Sequence, residues 1–336
     1  MSPYEISGTT VVSFSGGRTS AYMLRQVLDN NDDLSDLVIT FANTGKEHPA
    51  TLEFVRECAE RWSVPIVWLE FRDNEAGFEV VDFASASRQG EPFEALIRKR
   101  KYLPNPVTRF CTIDLKIRII HKYLRSLGLS TEDKPVDMMT GIRADEPRRV
   151  MKIRHRKSTS ESKWATMVMP LADAGVGVQD VTDFWAGQPF DLMLPTMNGR
   201  TLEGNCDLCF LKAAKQVYSI IASDRPKAEW WARMESSVVS GGKFTGDGAR
   251  FRSDRPSYQQ MLDYSDSLPE GYQATQYIDR QPGDTARLRH GEYHRIDKVF
   301  HEGVVTLFIT GKWRGDWGFL VNGVKVPWRT YTGTDN

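Results

Sequence analysis

The sequence predicts an α/β protein built on a doubly wound parallel sheet, with a helical extension and a small C-terminal β appendage. Three observations carry this expectation. Short β-branched or apolar runs alternate with amphipathic helical stretches as far as residue 140. A glycine-rich turn joins the first run to the first helical stretch. After about residue 269 the helical periodicity gives way to short alternating segments separated by glycines.

Residues 9–14 form the first β-branched run, broken by Gly16-Gly17. Over 21–28, Met23, Leu24, Val27 and Leu28 share one helical face. A second strand follows at 37–41, a helix at 49–62 and a third strand at 65–71, which completes a βαβαβ pattern. Such units imply parallel strands with helices on both faces, and ligands then bind beyond the carboxyl ends of the strands. Helices are expected at 92–101 and 113–126, and a fourth strand at 136–140, ending in Gly141. Further helices are expected at 210–223 and 228–234, followed by a glycine-rich loop over 236–253. In the tail, strands are expected at 293–299, 304–310, 317–321 and 324–328, with Asn322-Gly323 as a hairpin turn. The expected division is 1–222 for the α/β domain, 223–268 for a helical and glycine-rich extension, and 269–336 for a β-rich domain.

Composition narrows the function classes. The chain has 336 residues with 44 Lys+Arg against 44 Asp+Glu, so a polyanion-coating role, which needs a standing basic excess, is disfavoured. No apolar run approaches the roughly 20 residues that span a bilayer, and the start of the chain has no secretory pattern. A cytoplasmic protein without membrane insertion is expected. In that compartment the four cysteines, Cys58, Cys111, Cys206 and Cys209, remain thiols. Cys206-Asp-Leu-Cys209 has the gap that lets two sulfurs reach one metal. Cys58, among apolar residues at helical spacing, reads as core.

The turn Ser15-Gly16-Gly17-Arg18-Thr19-Ser20 lies where backbone amides and a helix N-terminus can surround an anion. The serine hydroxyls add donors, and Arg18 would add charge at the rim. A tight, serine-capped turn with no ligand is the competing reading. The loop matches neither the P-loop nor the dinucleotide glycine pattern.

From Val11-Val-Ser-Phe-Ser-Gly-Gly-Arg-Thr-Ser20 onward the chain resembles the adenine nucleotide alpha-hydrolase (PP-loop) superfamily, in particular its phosphoadenosine phosphosulfate (PAPS) reductase-like branch. Phe41-Ala-Asn-Thr-Gly-Lys-Glu-His-Pro-Ala-Thr51 is similar to that branch's segment after the second strand. Arg109-Phe-Cys-Thr-Ile-Asp-Leu-Lys116 resembles its RFC…LK motif, and Gly141-Ile-Arg-Ala-Asp-Glu146 its GxRxxE motif. Met169-Pro-Leu-Ala-Asp173 with the helix at 180–185 resembles a further element, and Gly204-Asn-Cys-Asp-Leu-Cys209 a G-x-C-x-x-C segment. These matches run in order over about 8–235 and leave the β tail unmatched.

The resemblance implies that Ser15, Gly16, Gly17, Arg18, Thr19 and Ser20 hold the phosphates of ATP or a related adenine nucleotide, and that Asn43, Thr44 and Gly45 border the nucleoside. Arg143 would contact a phosphate or sulfate. Thr19 stands where ATP-cleaving relatives have an aspartate that helps hold magnesium, and Asp145 and Glu146 would take over that role. The cysteine near the C-terminus with which PAPS reductases attack their substrate has no counterpart after Cys209. The resemblance implies instead a 4Fe-4S cluster on Cys111, Cys206 and Cys209, one iron remaining open to sulfide. Zinc on the same thiols and unligated thiols are the alternatives.

The dense basic runs 98–101 and 148–157 flank the expected site and suggest a nucleic-acid acceptor, while a solvated surface is the simpler account of them. Trp313, Trp317, Trp328 and Tyr331 in the tail are expected chiefly in packing. The expected activity is sulfur transfer to a nucleotide or nucleic-acid acceptor, with a sulfur or electron donor protein as partner. Sulfonucleotide reduction with an external thiol, and a non-catalytic nucleotide- or nucleic-acid-binding module with structural zinc, are the alternatives.

Overall fold

The computed structural model describes residues 2–131, 134–155, 163–194, 203–238 and 249–266, the short strands at 196–197 and 200–201, and the backbone of five strands between 285 and 327. The chain forms two compact units. One comprises residues 1–99 and 110–192, the other 100–109 and 193–336. The first unit ends at Leu192. The helices that follow pack on one another, with the Tyr218 ring edge-on to Tyr264 at 5.4 Å between centroids and Arg225 Nη1 donating to Leu262 O at 3.3 Å.

The first unit opens with strand β1 (Thr10–Phe14), helix α1 (Arg18–Asp29), β2 (Leu37–Asn43), α2 (Pro49–Trp62), β3 (Val67–Phe71) and β4 (Phe78–Val81). It continues with α3 (Glu91–Arg100), α4 (Phe110–Thr112), a π-helical turn (Ile113–Ile117), α5 (Arg118–Ser126), β5 (Val136–Met139), α6 (Pro147–Arg154), β6 (Ala165–Val168), α7 (Pro170–Asp173) and α8 (Val178–Ala186). The six strands form one sheet in the order β4-β3-β2-β1-β5-β6. All adjacent pairs are parallel except β3 with the edge strand β4. Strands 1 to 3 step outward one way and the chain then returns to place β5 on the other side of β1. That reversal opens a crevice at the carboxyl ends of β1 and β5, where open α/β sheets bind ligands.

Burial explains why these segments took these forms. Val11, Val12 and Phe14 are buried in the central strand, and Ala21, Met23, Leu24 and Val27 line the inner face of α1. Leu52, Phe54, Val55 and Cys58 do the same on α2. Burial pushes the Cys58 thiol far above its usual range, as befits the expected core residue. Helix α1 starts three residues ahead of its first buried apolar residue, Ala21, directly after Gly17, so the glycine turn becomes the helix N-terminus.

The second unit contains β7 (Thr196–Met197) paired antiparallel with β8 (Arg200–Thr201), then α9 (Ala214–Ser223), α10 (Pro226–Ser237) and α11 (Tyr258–Asp266). Phe210, Trp231, Phe251 and Tyr258 form its aromatic core, with the Trp231 ring 4.9 Å from Phe251 and 5.3 Å from Tyr258. In the tail, β9 (Thr285–Arg287), β10 (Tyr293–His301) and β11 (Val305–Ile309) form a three-stranded antiparallel sheet. Strands β12 (Gly318–Val321) and β13 (Val324–Pro327) pair around the expected hairpin position. The turn residues Asn322 and Gly323, the four tail aromatics named above and most of the expected glycine-rich loop lie outside the described residues.

Candidate nucleotide site and thiol turn

The turn after β1 is shaped by Gly16. Its φ is +73°, and a Cβ there would lie 2.6 Å from Thr51 Cγ2 and 3.2 Å from Phe41 Cε2. Only glycine fits both the left-handed backbone and the close approach to α2. Gly17 is the N-cap of α1 and supplies no side-chain acceptor, and the first turn contains no acid. The first amides of a helix have no partner within it, and together with the helix dipole they favour an anion.

Ser20 braces this turn from inside. Its Oγ donates to Gly17 O at 2.9 Å and accepts from Ser15 N at 3.2 Å, with Ser15 Oγ at 2.9 Å. Ser20 is buried while Ser15 is exposed, so of the two expected hydroxyls Ser15 is the one open to a ligand.

The loop after β5 meets the turn directly. A Cβ on Gly141 would approach Ser20 Cα to 3.1 Å, so the absence of a side chain lets this loop lie against the first turn of α1. Arg143 then reaches Thr19 Oγ1 with Nη1 at 3.3 Å, while its Nε donates to Asp145 Oδ1 at 2.8 Å. Asp145 Oδ2 in turn accepts from Val178 N, the first residue of α8, at 2.9 Å. The guanidinium is thus held at the turn by a carboxylate that is itself anchored to a helix end.

Asp145 is engaged by Arg143 and the α8 amide, and Glu146 accepts from Arg149 Nη1 at 2.5 Å and from Arg143 N at 3.2 Å, so both carboxylates hold Arg143 and its loop in place. One expectation is corrected at this turn. Arg18 was expected at the rim, but its guanidinium is buried in a two-pronged pair with Asp191, with Nε to Oδ1 at 2.7 Å. Its backbone carbonyl accepts from Trp185 Nε1 at 3.0 Å. Arg18 therefore braces the turn from behind.

The segment after β2 is buried from Asn43 to His48. Asn43 Nδ2 donates to Glu70 Oε1 at 2.6 Å and to Ser87 O at 2.8 Å, and Gly45 N donates to Asn43 Oδ1 at 3.1 Å. Thr44 donates through N and Oγ1 to Glu47 Oε2, each at 2.8 Å. His48 caps α2 by accepting Ala50 N on Nδ1 at 3.1 Å. Asn43, Thr44 and Gly45 come together as one closed loop beside the turn. Sequence reasoning missed Glu47, Glu70 and Asp191 as the residues that organise the site. Glu47 has a local signal, three residues after a threonine at a strand end. The other two have none.

Cys111 lies in α4, and the π-helical turn that follows it carries Lys116. Such turns concentrate at functional positions. In the second unit Cys206 and Cys209 share one tight turn, with Cys209 N donating to Cys206 O at 3.3 Å, and both are half-buried. Lys212 Nζ donates to Gly204 O at 2.6 Å, which closes the turn. Burial lowers the Lys212 pKa, while Cys209, Cys206, Glu203 and Asp207 oppose that shift. The donor chemistry of the Cys206–Cys209 turn suits a soft metal. Among the described residues no group of three or more His, Cys, Asp or Glu side chains is placed to hold a metal ion; Cys111 belongs to the first unit and the Cys206–Cys209 turn to the second. The basic runs are partly neutralised. Arg98 pairs with Glu94, Lys99 with Asp73, Arg149 with Glu146 and Arg154 with Asp173, and residues 156 and 157 lie outside the described set. Among the described residues no helix is long and apolar enough to cross a membrane.

Comparison with known proteins agrees with this fold. The family model of the phosphoadenosine phosphosulfate reductase domain matches residues 9–185. A relative from Escherichia phage lambda, described as "Uncharacterized nin region protein ORF290", is 29% identical over 279 residues, covering 80% of this chain and 86% of the relative. A crystal structure of phosphoadenylyl-sulfate (PAPS) reductase from Candida auris, in complex with phosphate, covers 55% of this chain and 78% of its own at 13% identity, with a TM-score of 0.35. The chain belongs to the PAPS reductase domain family.

Proposed function

We propose, from membership of that family, that the chain is a PP-loop enzyme that binds ATP or a related adenine nucleotide and transfers sulfur to a nucleotide or nucleic-acid acceptor. The observation that carries the nucleotide part is the uncapped N-terminus of α1, with Arg143 held at its first turn by Asp145. Backbone amides and a fixed guanidinium together suit a tetrahedral oxyanion. An acceptor oxygen would attack the α-phosphorus, the bond to pyrophosphate would break, and a sulfur nucleophile from a donor protein would then displace AMP. Catalysis by this chain's own residues is positioning and charge stabilisation at phosphorus.

Cys111, Cys206 and Cys209 are the thiolates that a 4Fe-4S cluster would use, and such a cluster would supply the sulfur-carrying or redox chemistry when bound. No step is assigned to it.

Two experiments test the reading. Replacing Ser15 and Gly17 is expected to abolish nucleotide binding measured by calorimetry, and retained binding would overturn the site. Preparation without oxygen, with iron and sulfide analysis, is expected to find iron and labile sulfide. A colourless protein with one zinc per chain would remove the cluster. Sulfite released from a sulfonucleotide would replace sulfur transfer with reduction.

A further inference from the structure

Glu47 lies in the segment that leaves the carboxyl end of β2, the strand next to β1. Its Oε2 accepts twice from Thr44. Its Oε1 has no hydrogen-bond partner, although the side chain is only 2% exposed. Lys116 Nζ forms an ion pair with this oxygen from 3.7 Å, beyond hydrogen-bonding reach. A buried carboxylate oxygen without a donor is destabilising, so a fold that retains one has a use for its free lone pairs.

Position supplies the use. In open parallel sheets with this strand order, the phosphates lie at the turn after the first strand and the ribose lies toward the second. An acid following the second strand accepts from ribose hydroxyls, whereas a cation there admits a phosphate. The order β3-β2-β1-β5 and the turn at 15–20 reproduce that arrangement within the first unit. We infer that Glu47 Oε1 is the acceptor for a ribose hydroxyl of the bound nucleotide, and that the site therefore selects nucleotides with free 2′ and 3′ hydroxyls against those bearing a 3′-phosphate. A 3′-phosphate would bring about two negative charges and no proton to donate against this oxygen. The substrate class narrows to ATP, AMP-like nucleotides and adenosine 5′-phosphosulfate, and excludes phosphoadenosine phosphosulfate, the family name notwithstanding. This inference rests on the nucleotide reading of the 15–20 turn.

Calorimetric titration of the full chain with AMP, 2′-deoxy-AMP, 3′-deoxy-AMP, inosine 5′-monophosphate and adenosine 3′,5′-bisphosphate tests it. The wild type is expected to lose about tenfold or more in affinity when one ribose hydroxyl is removed, and again when the 3′-phosphate is added to AMP. In Glu47→Gln the amide oxygen must stay with the Thr44 donors, which puts the amide NH2 where Oε1 was. That variant is expected to bind the bisphosphate better than AMP, an inverted preference that simple loss of structure would not produce.

Equal wild-type affinity for AMP and the bisphosphate overturns the inference, as does an unchanged ratio in the folded variant. A loss confined to inosine monophosphate overturns the ribose assignment in favour of the adenine amine. Should the variant fail to fold, the wild-type series decides alone. If the wild type binds none of the five, the nucleotide reading itself falls. Binding without discrimination removes only the role of Glu47.

Discussion

The carboxyl ends of β2 and β3 and the carboxyl ends of β1 and β5 use similar polar residues to opposite effect. At the first, Glu70 is fully buried and every donor around it is matched. Asn43 Nδ2 and Ser87 N donate to Oε1 at 2.6 Å each, Ser87 Oγ donates to Oε2 at 2.6 Å, and Arg72 Nη1 lies 2.8 Å from Oε2. At the second, α1 begins without a side-chain cap and Arg143 is held in place by a carboxylate exposed at 36%. A saturated network ties segments together and has no capacity left for a ligand. A network with unclaimed donors keeps that capacity, and its geometry is maintained by braces such as Ser20 and the Arg18–Asp191 pair set behind it.

Glu70→Ala should break the comparison most severely. It leaves Ser87 N without its acceptor and removes one acceptor each from Asn43 and Arg72, at a cost of about 3–5 kcal/mol in denaturant unfolding. A loss under about 1 kcal/mol would show that the network is not structural.

Gly16→Ala comes next, at roughly 2–4 kcal/mol, because it combines left-handed backbone with overlap on Thr51. Nucleotide affinity should fall with it. Unchanged stability would mean that the turn can move away from α2.

A carboxylate in the second unit sharpens the contrast by showing what burial does when amides are the main donors. Glu235 Oε1 accepts from Phe251 N at 3.1 Å and Oε2 from Tyr258 N at 2.7 Å, yet burial outweighs these bonds and raises its pKa to about 6. The folded value lies above the unfolded one, so the native state binds the extra proton. Its contribution to stability is present below about pH 4.5 and is lost as pH rises through about 6, by about 2 kcal/mol. Glu235→Gln should flatten that dependence, followed by tryptophan fluorescence from the unit that contains Trp230 and Trp231. A slope of opposite sign would refute the assignment.

Asp145→Asn should leave stability nearly unchanged and weaken nucleotide binding by about tenfold, since it loosens Arg143 without removing it. Equal loss of stability and affinity would place Asp145 with Glu70 as scaffold. The smallest effect is expected for Arg56→Ala. Its pairs with Glu53 and Glu60 on α2 are exposed, and the change should cost less than about 0.5 kcal/mol.

Much of the first unit was readable from the chain. The strand, glycine turn and helix at the start, the helix over 49–62 and the strands in the tail follow from periodicity and turn residues, which act over a few positions. The edge strand β4 and strand β6 were not anticipated. Each is only four residues long with half-buried or exposed side chains, and pairing with an existing sheet edge decides their form. The helix expected over 113–126 is interrupted by the π-helical turn at Ile113–Ile117, for which the local sequence contains no breaker.

Among the site residues, those held by backbone geometry were visible early and those held by charge pairing were not. Gly16, Gly17 and the Cys206–Cys209 turn announce themselves through spacing. Arg18 looked like a ligand because nothing local shows Asp191, which lies 173 residues away in the chain. Asp145 and Glu146 pair with Arg143 and Arg149, two and three residues away, whereas the α8 amide from which Asp145 also accepts comes from 33 residues further on.

The amino-acid sequence by itself determined the alternation of strands and helices, the glycine turn and the two-cysteine turn, because each depends on neighbours a few residues apart. Tertiary structure alone decided which charges are consumed as braces and which acceptor is left open. The energy of a buried charge depends on the groups that surround it in space, and those come from distant parts of the chain.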